Sequence, residues 1–243
     1  VYKRQHLSIS SIIRHCGRDF KICLIDDKSF NTLIPDWTTE LDRVGSPLKE
    51  KIRFLAKLKL LKYYGGMFVP QSFMCLHSLK NIMYEGLKNN QPFVIDKLND
   101  TLNGGHYIAS TDIIGCKKND PVIDEIIQAN ELLISKDYTS NSVIVGSNED
   151  MLSKMITTSK INVIDSKHFG SKDIDGKPVM LEDLFSRDYI RFDDLHYGIL
   201  IPHSQLLKRT AYNWFCKLSE KEVLTCDNIL CKYFLTSYES KKM

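Results

Sequence analysis

Several groups of side chains in this sequence have the types and spacing to do chemistry. Asp26 and Asp27 stand together at the end of an apolar run, and Asp96, Asn99 and Asp100 follow another. Asp173-Ile174-Asp175 and the pair Asp193-Asp194, close to His196, complete the acidic set. Clustered carboxylates supply the charged oxygens that a hard divalent cation requires. Lys49, Arg53 and Lys57 recur every four residues, which puts three cations along one helical face. Such a stripe is either the solvated side of an amphipathic helix or a landing place for phosphate oxygens.

Each group also has a plainer reading. Asp residues at a strand end cap turns as readily as they face a ligand, so Asp26 and Asp27 stay open between the two. Asp96 and Asp100 either line a cleft or close a loop. Asp173 and Asp175 precede Gly176 within the polar stretch Ser171 to Pro178, which reads as a turn. A hairpin loop accounts for Asp193, Asp194 and His196. His77 and His168 lack metal-ligand spacing, and His196 and His203 merely bracket the run Tyr197 to Ile201. Tyr212, Trp214 and Phe215 read as core rather than as a stacking platform.

The glycine and serine fingerprints of α/β-hydrolases, P-loop NTPases and dinucleotide-binding enzymes do not occur, nor does the paired-histidine motif of zinc proteases. The chain has 243 residues and a net charge of +3 at pH 7, which gives no general reason to expect a nucleic acid as partner. A chain this long buries roughly 70–75% of its unfolded surface and needs no metal or disulfide to fold. Its seven cysteines are odd in number and scattered without a C-x-x-C pair, so they are expected to be unpaired. That usage points to a reducing, cytoplasmic setting. The longest uncharged run, Tyr63 to Leu79, contains Gly65, Gly66 and Pro70 and is not expected to span a membrane. The sequence begins with Val1, and an upstream segment is expected to be missing.

Local patterns give the elements that must position these residues. Phe20 to Asp26 reads as a strand ending in carboxylates. From Pro47 to Tyr64 the apolar residues Ile52, Leu55, Ala56, Leu60 and Tyr63 recur at helical spacing, with Pro47 at the first turn and Gly65 as terminator. Met67 to Val69 reads as a buried strand, and Pro92–Asp96 and Tyr107–Ala109 as further strands. Asp120-Pro121 opens a helix whose buried face is Ile123, Ile126, Ile127, Leu133 and Ile134. Another helix is expected from Ser147. Tyr189–Phe192 and Tyr197–Ile201 read as a hairpin, followed by helices near Leu206–Leu218 and Glu222–Ser240, the second with a Ser219/Glu222 capping box. The alternation predicts an α/β domain with a mainly parallel sheet flanked by helices, and a helical C-terminal extension over 161–243.

The run Leu55 to Phe73 is the most specific segment. Its core, Tyr64-Gly65-Gly66-Met67-Phe68-Val69, resembles the Tyr-Gly-Gly segment of DXD-containing glycosyltransferases of the GT-A fold, in the capsular-polysaccharide and mannosyltransferase-like group. Ile113 to Pro121 and Phe20 to Asp27 are similar to supporting segments of that group, and the likeness covers roughly residues 10–160. It implies a single GT-A-like (Rossmann-like) domain over 1–243, lacking the family's first strand. It also implies a nucleotide-sugar donor with a glycan or other acceptor.

The departures carry equal weight. The family's two metal-binding Asp positions fall on Pro70 and Ser72, and its helix Asp and Arg fall on Phe54 and Lys57. Proline offers one carbonyl and serine a neutral hydroxyl, so no metal is expected there and no other cofactor is implied. Lys57 would then meet the donor diphosphate as a point charge, with Gly65 and Gly66 allowing close backbone approach and Gln71 and Ser72 bonding sugar or nucleotide. Asp26, Asp96 and Asp100 complete the candidate donor-binding set. Two functions follow: a glycosyltransferase-like enzyme working without a DXD-bound metal, or a catalytically degenerate GT-A scaffold that binds or supports other molecules.

Overall fold

In this computed structural model the described residues are 2–98, 107–136 and 147–240. In chain order the first half comprises helices α1 (Tyr2–Cys16), α2 (Phe30–Leu33) and α3 (Leu48–Tyr64), strands β1 (Gly66–Phe68) and β2 (Phe73–Cys75), helix α4 (Lys80–Gly86), and strands β3 (Phe93–Leu98) and β4 (Tyr107–Cys116). The second half comprises helices α5 (Pro121–Ser135) and α6 (Ser147–Thr157), strand β5 (Asn162–Ile164), helix α7 (Leu181–Phe185), strand β6 (Gly198–Leu200), and helices α8 (His203–Lys208), α9 (Glu220–Thr225) and α10 (Ile229–Glu239). The chain divides into two compact units. One comprises Val1–Ile22, Pro70–Asn81 and Asp165–Met243; the other comprises Cys23–Val69 and Ile82–Ile164.

The Cys23–Ile164 unit is a mixed α/β layer. Its four-stranded sheet runs in the order β1-β4-β3-β5. β4 is antiparallel to both β1 and β3, and only β3 and β5 are parallel. The expected mainly parallel sheet is therefore corrected to a mixed one. The cause lies in β3 and β4, which follow each other and pair directly as neighbours, a route open only to antiparallel strands.

Helix α3 explains its sequence by being buried on two sides. Phe54, Leu55, Leu58 and Leu61 pack with Val94, Ile114 and the Ile123, Ile126, Ile127 face of α5. Ile52, Ala56 and Leu60 pack with Phe30, Ile34 and Leu41. Each fully buried Leu or Ile contributes roughly 2 kcal/mol. Pro47 is the N-cap rather than the first helical residue, and Gly65 ends the helix at φ 67°. Helix α5 starts as its sequence indicates. The Asp120 carboxylate accepts from the N–H groups of Val122 (2.9 Å) and Ile123 (3.3 Å), a cap worth about 1 kcal/mol. Leu133 and Ile134, expected on its buried face, are only partly covered.

Three strand expectations need correction. Phe20 to Asp26 forms no strand, because among the described residues no strand pairs with it; Ile22 and Leu24 stay exposed. Strand β1 begins one residue early, at Gly66, and Met67 and Phe68 are half-buried rather than buried. Tyr189–Phe192 is irregular, so the expected hairpin does not form.

In the other unit, β6 pairs antiparallel with β2, matching Phe73 to Leu200 and Cys75 to Gly198. Around this pair Leu7, Met74, Leu181, Ile199, Leu230 and Phe234 form one core with Phe215 and Val223. The Ser219/Glu222 capping box is present and opens α9, while the two long C-terminal helices that were expected are broken into shorter pieces. Among the described residues no helix is long and apolar enough to cross a membrane.

Candidate functional site

The region with most chemical potential lies in the Cys23–Ile164 unit, where the basic face of α3 meets β1 and β4. The α3 helix places Arg53 and Lys57 on one side, one turn apart. Arg53 is spoken for. Its guanidinium grips the Asp27 carboxylate in a two-point pair, at 2.8 and 2.6 Å, which holds that carboxyl below the usual range.

Lys57 is different. Burial pushes its ammonium below the usual lysine value, and the Asp112 carboxylate partly opposes this. Its Nζ lies 5.9 Å from the centre of the Phe68 ring on β1. Among the described residues no acceptor takes a hydrogen bond from this ammonium. A desolvated cation that takes no acceptor among the described residues can bind a further anionic oxygen.

A strand irregularity brings Asp112 there. β3 and β4 pair at Val94–Ile114 and again at Asp96–Ala109, so the longer stretch of β4 bulges between these points. Within the bulge the Asp112 N–H donates to Ser110 Oγ at 3.1 Å. A bulge re-aims side chains that regular alternation would place elsewhere. Sequence reasoning missed Asp112 because pairing register is not written in a single strand.

It also missed Lys51, which is 3% exposed. Its ammonium donates to Ser147 Oγ (2.6 Å) and Asn148 Oδ1 (2.5 Å), and burial pushes it down to about 8. A signal existed: Leu55 and Leu58 lie four and seven residues on, so Lys51 occupies the apolar stripe.

The glycines of the Tyr-Gly-Gly segment separate in role. Gly65 has φ 67° and ψ −167°, and a Cβ there would lie 2.8 Å from the Lys118 backbone nitrogen. Its absence of a side chain lets the end of α3 dock against the segment after β4, where Asn119 N–H donates to Lys62 O at 2.8 Å. Gly65→Ala is expected to destabilise by roughly 3 kcal/mol, read as a lowered urea midpoint. A shift within 0.5 kcal/mol would show that this close approach relaxes freely. Gly66, at φ 101°, has open space where its side chain would be.

The other candidates are placed as follows. Asp26 caps a turn: its Oδ1 accepts from the Ser29 N–H at 2.8 Å and the Ser29 hydroxyl at 2.5 Å. Asp96 lies on β3 opposite Ala109, and Asp100 lies outside the described residues. Gln71 and Ser72 belong to the other unit, in a turn before β2, with Gln71 exposed. Pro70 O accepts from Phe73 N–H at 3.0 Å and Ser72 O from Ile201 N–H at 3.1 Å. The turn thus offers no carboxylate and has two of its three carbonyls engaged, a poor donor set for a divalent cation.

Asp173 accepts from the N–H groups of Asp175 (3.0 Å) and Lys177 (2.8 Å), as a turn requires. Asp193 likewise accepts from Leu195 N–H at 2.9 Å. Phe215 is buried and Tyr212 stacks on Phe185 at 5.2 Å, which makes this aromatic set largely core. Among the described residues no group of three or more His, Cys, Asp or Glu side chains is arranged to hold a metal ion. No protein-family model matches the chain, and no curated protein matches it.

Proposed function

We propose that this protein is glycosyltransferase-like, on a GT-A-like scaffold, and binds a nucleotide-sugar donor through Lys57 without a DXD-bound metal. The observation that carries the proposal is the Lys57 ammonium itself: desolvated, favoured by the charge of Asp112 without an ion pair to it, and without a hydrogen-bond acceptor among the described residues. It stands at the sequence position where the resembled family carries an Arg. A diphosphate oxygen would supply an acceptor that this cation does not find among the described residues, and the cation would offset charge building on the leaving nucleotide. A glycan or another hydroxyl compound is the acceptor in this reading. The seven free cysteines support a reducing, cytoplasmic setting.

Calorimetric titration with nucleotide sugars, first in EDTA and then in Mn²⁺, tests it. Affinity is expected to change less than tenfold with the metal, under about 1.4 kcal/mol. Lys57→Ala is expected to weaken binding tenfold or more, with Lys57→Arg retaining it. Equal binding by Lys57→Ala and the unmodified chain would remove the proposal's support. The engaged carbonyls of Pro70 and Ser72 favour a second reading, a catalytically degenerate scaffold with a binding or structural role. No donor binding under either condition would select it.

A further inference from the structure

The last turn of α1 carries Cys16 against Cys75, the final residue of β2, with the two Sγ atoms 3.7 Å apart. Both thiols are buried, at 2% and 0% exposure. Isolated buried cysteines pack as small apolar groups, whereas here each sulfur faces another sulfur. The pair is held from two helices. Ser11 Oγ on α1 accepts from Cys75 N–H at 2.9 Å, and Ser237 on α10 donates its hydroxyl proton to Cys75 O at 2.8 Å. Arg14 on α1 in turn donates to Ser237 O.

We propose that Cys16 and Cys75 are an oxidisable thiol pair, which a peroxide converts into an intramolecular disulfide joining α1 to β2. A disulfide needs its sulfurs at about 2.05 Å, so side-chain rotation and a small shift of the helix end close the gap. The proposal is independent of the donor-binding reading, since both cysteines and their supports belong to the other unit.

The chemistry proceeds in two balanced steps. Cys16 loses its proton, and its sulfur attacks one peroxide oxygen. The O–O bond breaks, leaving a sulfenic acid on Cys16 while the departing hydroxide takes up a proton as water. The Cys75 sulfur then attacks the Cys16 sulfur. The S–S bond forms as the S–O bond breaks, and the leaving hydroxide takes the Cys75 proton as a second water. Two thiols and one hydrogen peroxide become one disulfide and two waters, with two electrons passing from sulfur to oxygen.

The surroundings assign the attacking member. The Cys75 S–H contact and a backbone N–H from Leu79 hold the Cys16 thiol below the usual cysteine value, against burial and the nearby Asp19 carboxylate. The same sulfur contact, and then burial, push Cys75 up. The raised member, Cys75, is thus the protonated partner, and its Sγ also lies 3.1 Å from His77 O. Hydrogen peroxide is small and uncharged. The exposed turn that follows α1, Gly17 to Asp19, is its route of access when that turn opens.

The test treats the reduced full chain with hydrogen peroxide, blocks remaining thiols with N-ethylmaleimide, digests without reductant and reads the peptides by mass spectrometry. A peptide pair linked through Cys16 and Cys75, lighter by two hydrogen atoms than its reduced halves, is expected as the dominant bridge, and dithiothreitol reverses it. Cys16→Ser and Cys75→Ser abolish it, while Cys226→Ser retains it. The same treatment in unfolding urea keeps the measurement decisive if a variant misfolds, because without the fold the 16–75 preference must vanish. Peroxide that oxidises exposed Cys23 while Cys16 and Cys75 stay alkylatable after denaturation would overturn the proposal. So would bridges from either cysteine to other partners, or a 16–75 preference that persists in urea.

Discussion

Gly198→Ala is expected to cost on the order of 4 kcal/mol, a large fraction of the roughly 5–15 kcal/mol that holds a typical domain folded. Gly198 pairs with Cys75 across the β2–β6 ladder. A Cβ at position 198 would lie 2.1 Å from the Met74 carbonyl oxygen and 2.5 Å from the Phe73 ring. The first contact is with backbone inside a strand, which cannot rotate away as a side-chain tip can. The second is with a fully buried ring packed 5.7 Å from Phe169. Relief requires the two strands to separate, and both carry core residues. Gly45→Ala is the control, since nothing lies within 4 Å of its added carbon. Urea unfolding of both variants should show the first midpoint far below the unmodified chain and the second within about 0.5 kcal/mol of it. Near-equal midpoints would mean that the β2–β6 contact is looser than its geometry.

Lys51→Met is expected to remove a pH dependence of stability that the unmodified chain has between about 8 and 10.5. Lysine ordinarily titrates near the upper limit, and burial lowers Lys51 to about 8 in the folded state. Below pH 8 the group is charged whether folded or not, and the burial penalty is present in full. As pH rises through the window, the folded chain has released this proton while the unfolded chain still holds it. Stability therefore rises with pH there, by roughly 3 kcal/mol. Glu149 is the facing charge that opposes the shift, and Ser147 and Asn148 are the neutral acceptors. Other titrating groups are common to both proteins and cancel in the comparison. Denaturation at pH 7.5 and pH 10 should show the unmodified chain gaining on Lys51→Met; parallel changes would contradict the lowered lysine.

The elements legible in the sequence were those whose signals are local. α5 was readable because Asp120 caps it within three residues and Pro121 suits its first turn. α3 was readable because Gly65 stops it and its apolar residues recur at helical spacing. Helix α1 was not anticipated, since its buried face mixes Leu7 and Cys16 with Ser8 and Ser11, which blurs the apolar period. The extended pattern of Tyr197–Ile201 matches strand β6 over Gly198–Leu200, but its partner is β2, far away in sequence rather than next to it. An alternating pattern sets which side a residue faces and says nothing of which strand lies alongside.

The candidate site divides the same way. The α3 basic stripe was visible from spacing alone, and so was the turn-forming part of the acidic set. What completes the Lys57 environment, Asp112, depends on a bulge between paired strands and has no local mark. Asp26 carried the right residue type at a plausible place, and only the Ser29 contacts show it closing a turn.

The interleaved path of the chain also bears on how it is made. Everything the Cys23–Ile164 unit needs has been synthesised once residue 164 leaves the ribosome, so that unit can close while translation continues. The other unit begins with α1 and β2, yet the strand that pairs with β2 begins only at Gly198, and α10 ends at Glu239. For most of synthesis α1 and β2 therefore present Leu7, Phe73 and Met74 without their later partners. A nascent chain halted between residues 164 and 198 should carry one protease-resistant unit beside a segment that chaperones hold.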